Sequence, residues 1–311
     1  MEPIKEPTPL VLVTSSPHMH CGLTIGKSMR EVMLALVPAI IASVYYFRMS
    51  AAIVMVTCVV SAIVFETICN KVMHKPNTVQ DGSAALTGLL LAMCLPASMP
   101  PLFAAMGSMF AIVVGKAVFG GLGCNIFNPA HIGRAILLAS FPQQMTNWVL
   151  PATAAASDAV STATPLAVMR ATEKIWQAGG AASAAKLPDL MNLFWGNVGG
   201  SLGETCVPAL VLGGLYLIYK KLIDWRIPVF YLVTVAILTG VYGAVMGYPS
   251  TFPLYHLFAG GLMIGAFFMA TDWVTSPITK KGKIIYAIGL GVLTPRSVCV
   301  AATPKASAIP S

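Results

Sequence analysis

Three carboxylates stand within or at the ends of apolar runs: Glu66 in AIVFETICN, Glu204 behind the glycine-rich GNVGGSLG, and Asp272 in MATDWVTSP. Charge in such surroundings is costly unless it is used or compensated, so each is a candidate for a path by which an ion crosses an apolar layer. Each also has a plainer reading. Glu66 lies shortly before Lys71, and because span ends tolerate charge, an interfacial snorkelling group is favoured there. Glu204 would complement the positive end of the helix it opens. Asp272, beside Trp273 and ahead of Pro277, suits a half-helix end or an interfacial cap equally.

A second constellation is GLGCNIFNPAHIGRA. Asn128 reads as an N-cap, Pro129 as the first helical residue, and Arg134 follows about a turn later. A helix start in apolar surroundings offers N–H groups and a positive dipole to an anion, which makes Asn128 and Arg134 candidate binding residues. Alternatively Asn125 and Asn128 only satisfy the backbone of a broken helix. The histidines at 18, 20, 74, 131 and 256 have no helical i, i+4 partner, and the seven cysteines form no CxxC pair. No metal, haem or disulfide framework is therefore expected. GxSxG, HExxH and Walker A patterns are absent, so no catalytic residue and no independent hydrolase or ATPase site is expected.

The elements that must position these residues follow from composition. Of 311 residues 57% are hydrophobic and only 10% charged, and the mean hydropathy is +0.78, far from the soluble norm of about 25% charged. The reading is an all-α, polytopic membrane protein. Its net charge of +8 is then the inside-positive bias of membrane loops, and no nucleic-acid partner is expected. No cleavable secretory signal is visible at the N-terminus.

Apolar stretches at 32–47, 51–68, 83–95, 102–119, 129–141, 205–219, 227–247, 253–271 and 284–294 make about nine spanning or half-spanning segments. The short ones at 83–95 and 129–141 are flanked by Gly and Pro, the pointer to broken helices around a binding site. The runs GSAALTGLLLAMCLP (82–96) and AGGLMIGAFFMATDWVTSP (259–277) raise an internal repeat, although small residues at this density also simply let helices approach. Basic residues gather at Lys71, His74 and Lys75, at Lys220, Lys221 and Arg226, and at Lys280, Lys281 and Lys283. All three clusters are expected to face the cytoplasm. The resulting plan is a cytoplasmic segment 1–29, a first membrane half 30–141, an external loop 142–204, a second membrane half 205–294 and an atypical tail 295–311.

The external loop is rich in Ala, Ser and Thr, without strong periodicity, which taken alone suggests a connector. It contains DAVSTATPL, from Asp158 to Leu166. This run resembles the flavin-attachment motif of the family that contains the D subunit of the Rnf electron-transport complex and the B subunit of the sodium-pumping NADH:quinone reductase. Thr162 stands where that family usually has Gly. The resemblance extends through QDGSAALTGLLLAMCLP, GKAVFGGLGCNIFNPAHIGRA, GNVGGSLGE and GAFFMATDWVTSPITKKGKIIY, in family order, and the chain length is closer to the Rnf branch. The tail departs: PRSVCVAATPKASAIPS stands where the family continues into a longer span and a further apolar helix.

The resemblance implies FMN joined by a phosphoester to Thr164, with Ser161 and Thr162 shaping the attachment loop and Asp158 helping to position the acceptor hydroxyl or the attaching enzyme's metal, and leaves room for a second, non-covalent flavin. It implies a membrane component that relays electrons between ferredoxin and NAD chemistry on partner subunits and couples them to Na⁺ or H⁺ movement. A flavin-attaching enzyme is a further implied partner, and the bacterial inner membrane the implied location. Two other functions fit less of the sequence: the flavin-bearing component of the quinone reductase, and a passive channel or solute transporter with paired broken helices.

Overall fold

The computed structural model describes residues 24–75, 78–151, 164–177, 189–204 and 206–299, without the side chains of 174–177 and 295–299. Within them the fold is helical. Helix α1 (Ile25–Val72) is two apolar arms joined at Arg48, whose φ of 55° interrupts the helix and separates the expected first and second segments. The arms need no Pro or Gly at the break, which the sequence therefore does not advertise. Short α2 (Ser83–Met93) packs on α1, and α3 (Pro101–Ile112) continues into a π-helical turn, Val113–Ala117, before α4 (Pro129–Ser140).

After α5 (Pro142–Met145) come α6 (Pro165–Gln177) and α7 (Leu190–Trp195). The stretch 142–204 is thus not an unperiodic connector. Helix α6 is strongly amphipathic, with Pro165, Met169, Thr172 and Glu173 buried at helical spacing. The second half comprises α8 (Val207–Tyr219), α9 (Arg226–Met246), α10 (Phe252–Phe258), α11 (Leu262–Ile264) and α12 (Lys280–Cys299). Helix α11 runs into a second π-turn, Gly265–Met269. The 253–271 stretch is accordingly not one straight span but a pair of helices bent by 65°. Helix α12 runs to Cys299, through Pro295, beyond the expected end at 294; Pro is tolerated in apolar helices where other groups satisfy the freed carbonyl.

The core joins both halves. Gly213 packs so closely on α1 that a methyl group would overlap the Ala35 carbonyl oxygen. The two segments compared as a repeat meet end to end, Cys94 Sγ lying 4.0 Å from Met269 Sδ. Bonds gather two of the basic loops at one end: Lys283 pairs with Asp224 at 3.1 Å, Lys220 with Glu31 at 3.7 Å, and Trp273 Nε1 donates to the Leu222 carbonyl. At the opposite end Tyr46 donates to the Trp195 carbonyl, Ser98 to that of Asn147, and Pro96 pairs with Ser201 in an isolated bridge.

Candidate functional site

Glu66 is not an interfacial snorkelling group beside Lys71. It is 2% exposed, and its Oε1 accepts from Lys116 Nζ at 2.7 Å and from the Thr78 hydroxyl at 2.7 Å. Lys116 Nζ also donates to Ser83 Oγ at 2.7 Å, while Glu66 Oε2 has no partner among the described residues. The π-turn is what delivers Lys116. An inserted residue in a helix re-aims the side chains that follow, and Gly115 in the same turn lets the backbone of Pro129 approach to a distance no Cβ would permit. The sequence gives no sign of this role, because Lys116 sits in the apolar run AIVVGKAVFGG and its partner is fifty residues away.

This network borders an inner pocket of about 290 Å³ that also receives Asn125, Asn128, Asp272 and Trp273. Asn128 is the N-cap expected of it, its Oδ1 accepting from Ala130 N at 3.0 Å with Pro129 at the first helical position. Asp272 follows the second π-turn, where it accepts from Val274 N at 3.4 Å and the Thr275 hydroxyl at 3.5 Å. It therefore braces the turn after a broken helix and faces a cavity at once.

On the other side of α4 lies a larger cleft of about 690 Å³, whose walls include Asn128, His131, Arg134, Leu166, Arg170 and His256. Helix α6 brings Leu166 and Arg170, four residues apart and hence on one face. Thr164 starts that helix: its hydroxyl accepts from Ala167 N at 3.2 Å and its carbonyl from Val168 N at 3.0 Å, with Pro165 next in line. Asp158, Ser161 and Thr162 lie outside the described residues. Helix α6 meets α10 at Glu173, whose Oε1 is 3.8 Å from His256 Nε2 with both side chains buried. Burial pushes the Glu173 carboxyl above its usual range, the Arg170 charge opposing the shift.

Arg134 projects toward Glu204, on whose carboxylate its charge acts together with hydrogen bonds from Ser201. Glu204 ends a 3₁₀ turn, Leu202–Glu204, and folds back over Gly200 so tightly that a side chain there would collide with it. The expected acids are thus separated: Glu66 and Asp272 near the inner pocket, Glu204 with Arg134 toward the other end.

Residues 12–308 match the model of the NQR2, RnfD, RnfE family. The chain belongs to this family. It is 49% identical over 285 residues to the D subunit of the proton-translocating ferredoxin:NAD(+) oxidoreductase complex of Clostridium ljungdahlii, covering 91% of this chain and 84% of the relative. It is 44% identical to the D subunit of the Na(+)-translocating ferredoxin:NAD(+) oxidoreductase complex of Acetobacterium woodii, over 91% and 83%. It is 40% identical to the D subunit of the ion-translocating oxidoreductase complex of Rhodobacter capsulatus, over 90% and 83%. The membership agrees with the apolar helices in marking a membrane protein.

Proposed function

We propose that this chain is the membrane-embedded D subunit of an Rnf-type ion-translocating ferredoxin:NAD oxidoreductase complex of a bacterial inner membrane, bearing FMN as a phosphoester on Thr164. The observation that carries the flavin reading is the position of Thr164 at the start of α6, whose Leu166 and Arg170 line the 690 Å³ cleft. That volume lies within the range of ligand pockets. FMN, when attached, supplies electron transfer, and the chain supplies position and electrostatics.

The residues present fit that group. The first N–H groups of α6 and its positive dipole favour a phosphate at the Thr164 oxygen. Arg134 adds positive charge deeper in the cleft, while Leu166 covers an apolar face. A second, non-covalent flavin is proposed for the inner pocket, which Asn125, Asn128 and Trp273 line. Glu66, Glu204 and Asp272 are proposed as stations for Na⁺ or H⁺. Of these Asp272 is best supported, since it borders a cavity and its hydrogen bonds come from a backbone N–H and a hydroxyl, with no basic side chain among the described residues paired to it.

In orientation, the end with the basic loops faces the cytoplasm and the Thr164 end faces outward. The attachment reading is tested by Thr164→Val, which removes the hydroxyl at nearly constant volume. A fluorescent flavin band on a denaturing gel is expected from the native chain and not from the variant, with equal membrane insertion. A band of equal strength in the variant would overturn it.

A further inference from the structure

Arg170 has a buried Nε with no hydrogen-bond partner among the described residues, and its side chain forms part of the cleft wall. A guanidinium carries five donors and no acceptor. Nε itself has no surface open to the cleft; it marks a charged group that the described residues leave partly unsatisfied, and such a group in a cleft wall is suited to an electron-rich ligand there. Glu173, three residues later on α6, is within reach of the Arg170 charge without an ion pair between them among the described residues, and His256 Nε2 of α10 lies 3.8 Å from its Oε1.

The position of Arg170 along α6 separates it from the phosphate. Six residues past Thr164, Arg170 lies about 9 Å further along the helix axis at 1.5 Å per residue. The helix N-terminus already answers a phosphate at Thr164; a group that much deeper meets what lies beyond a phosphoribityl chain. Resting on the Thr164 reading, we infer that Arg170 donates to the electron-rich edge of the flavin ring, the edge that gains negative charge on reduction. A fixed cation there stabilises the reduced ring more than the oxidised one and raises its potential.

The experiment is a potentiometric titration of the flavin absorbance in the purified full chain, beside in-gel fluorescence. Arg170→Gln is expected to keep the fluorescent band but to lower the midpoint potential, weakening the preference for reduced over oxidised flavin by roughly tenfold or more, the size of a charged hydrogen bond. Arg170→Lys is expected to restore most of the preference. A normal band with an unchanged potential in Arg170→Gln overturns the inference. If that variant does not accumulate, Arg170→Met is titrated in its place, and an unchanged potential there overturns it. If the native chain shows no covalent band, the attachment reading fails by itself, and Arg170 is then judged with free FMN: selective weakening of the reduced form supports its role, and equal or no weakening overturns it.

Discussion

Lys116 and Arg170 are cations at opposite ends of the molecule, and their surroundings differ in one respect. Lys116 makes two hydrogen bonds of 2.7 Å, to Glu66 and Ser83, within a tight contact of α1, α2 and the π-turn after α3. Arg170 borders a wide cleft on an amphipathic helix docked by a small buried face, and its Nε is unmet among the described residues. One end compensates its charge internally and gains a fixed geometry. The other leaves the Arg170 Nε uncompensated among the described residues while its side chain forms part of a cleft wall.

The widest separation is expected on truncation. Lys116→Ala leaves Glu66 buried and without its cation, a change worth about 3–5 kcal/mol, and should lower the thermal unfolding temperature in detergent sharply. The double variant Glu66→Gln, Lys116→Met should recover much of that loss. An unaltered unfolding temperature for Lys116→Ala would mean that the pair is solvated and that the two ends do not differ as described.

Glycine substitutions sharpen the same contrast in packing. Gly213→Ala forces a methyl group onto the Ala35 carbonyl, for which about 1–3 kcal/mol is expected. Gly265→Ala, at the cleft wall where nothing lies within 4 Å of the added carbon, should be nearly silent. Equal losses by thermal denaturation would contradict an open cleft.

Smaller still is the capping effect. Loss of the Thr164 hydroxyl bond to Ala167 N should cost α6 about 1 kcal/mol, read as faster amide exchange in its first turn with no change in α1 or α3. For ion coupling, Asp272→Asn is expected to reduce Na⁺ or H⁺ transport per electron in reconstituted vesicles while electron flow continues. Normal transport would leave Asp272 only its bonds within the turn.

What the sequence makes legible follows the range of the forces involved. The Asn128–Pro129 helix start can be read because capping acts over two or three residues, and the apolar segments because burial leaves a periodic trace. The Thr164–Pro165 start of α6 carries the same local signature, an N-cap followed by Pro. The surrounding Ala and Thr nevertheless mask it as a connector, because the buried face of α6 is narrow. The Glu66–Lys116 pair is illegible for another reason: a π-turn shifts the register of α3 without a sequence mark, and the partners come together only in the folded chain. The Arg48 break likewise has no Pro or Gly to mark it, whereas the bend after α10 falls at Gly260, whose φ of 74° a glycine adopts readily.

The outer cleft has meaning as a flavin site only if Thr164 is the point of attachment. Mass spectrometry of the peptide spanning residues 152–170, from cells that possess the attaching enzyme, reads this directly. The expected result is the mass of FMN less one water, carried on Thr164. FMN on Thr162 would move the acceptor, and an unmodified peptide would contradict the attachment outright.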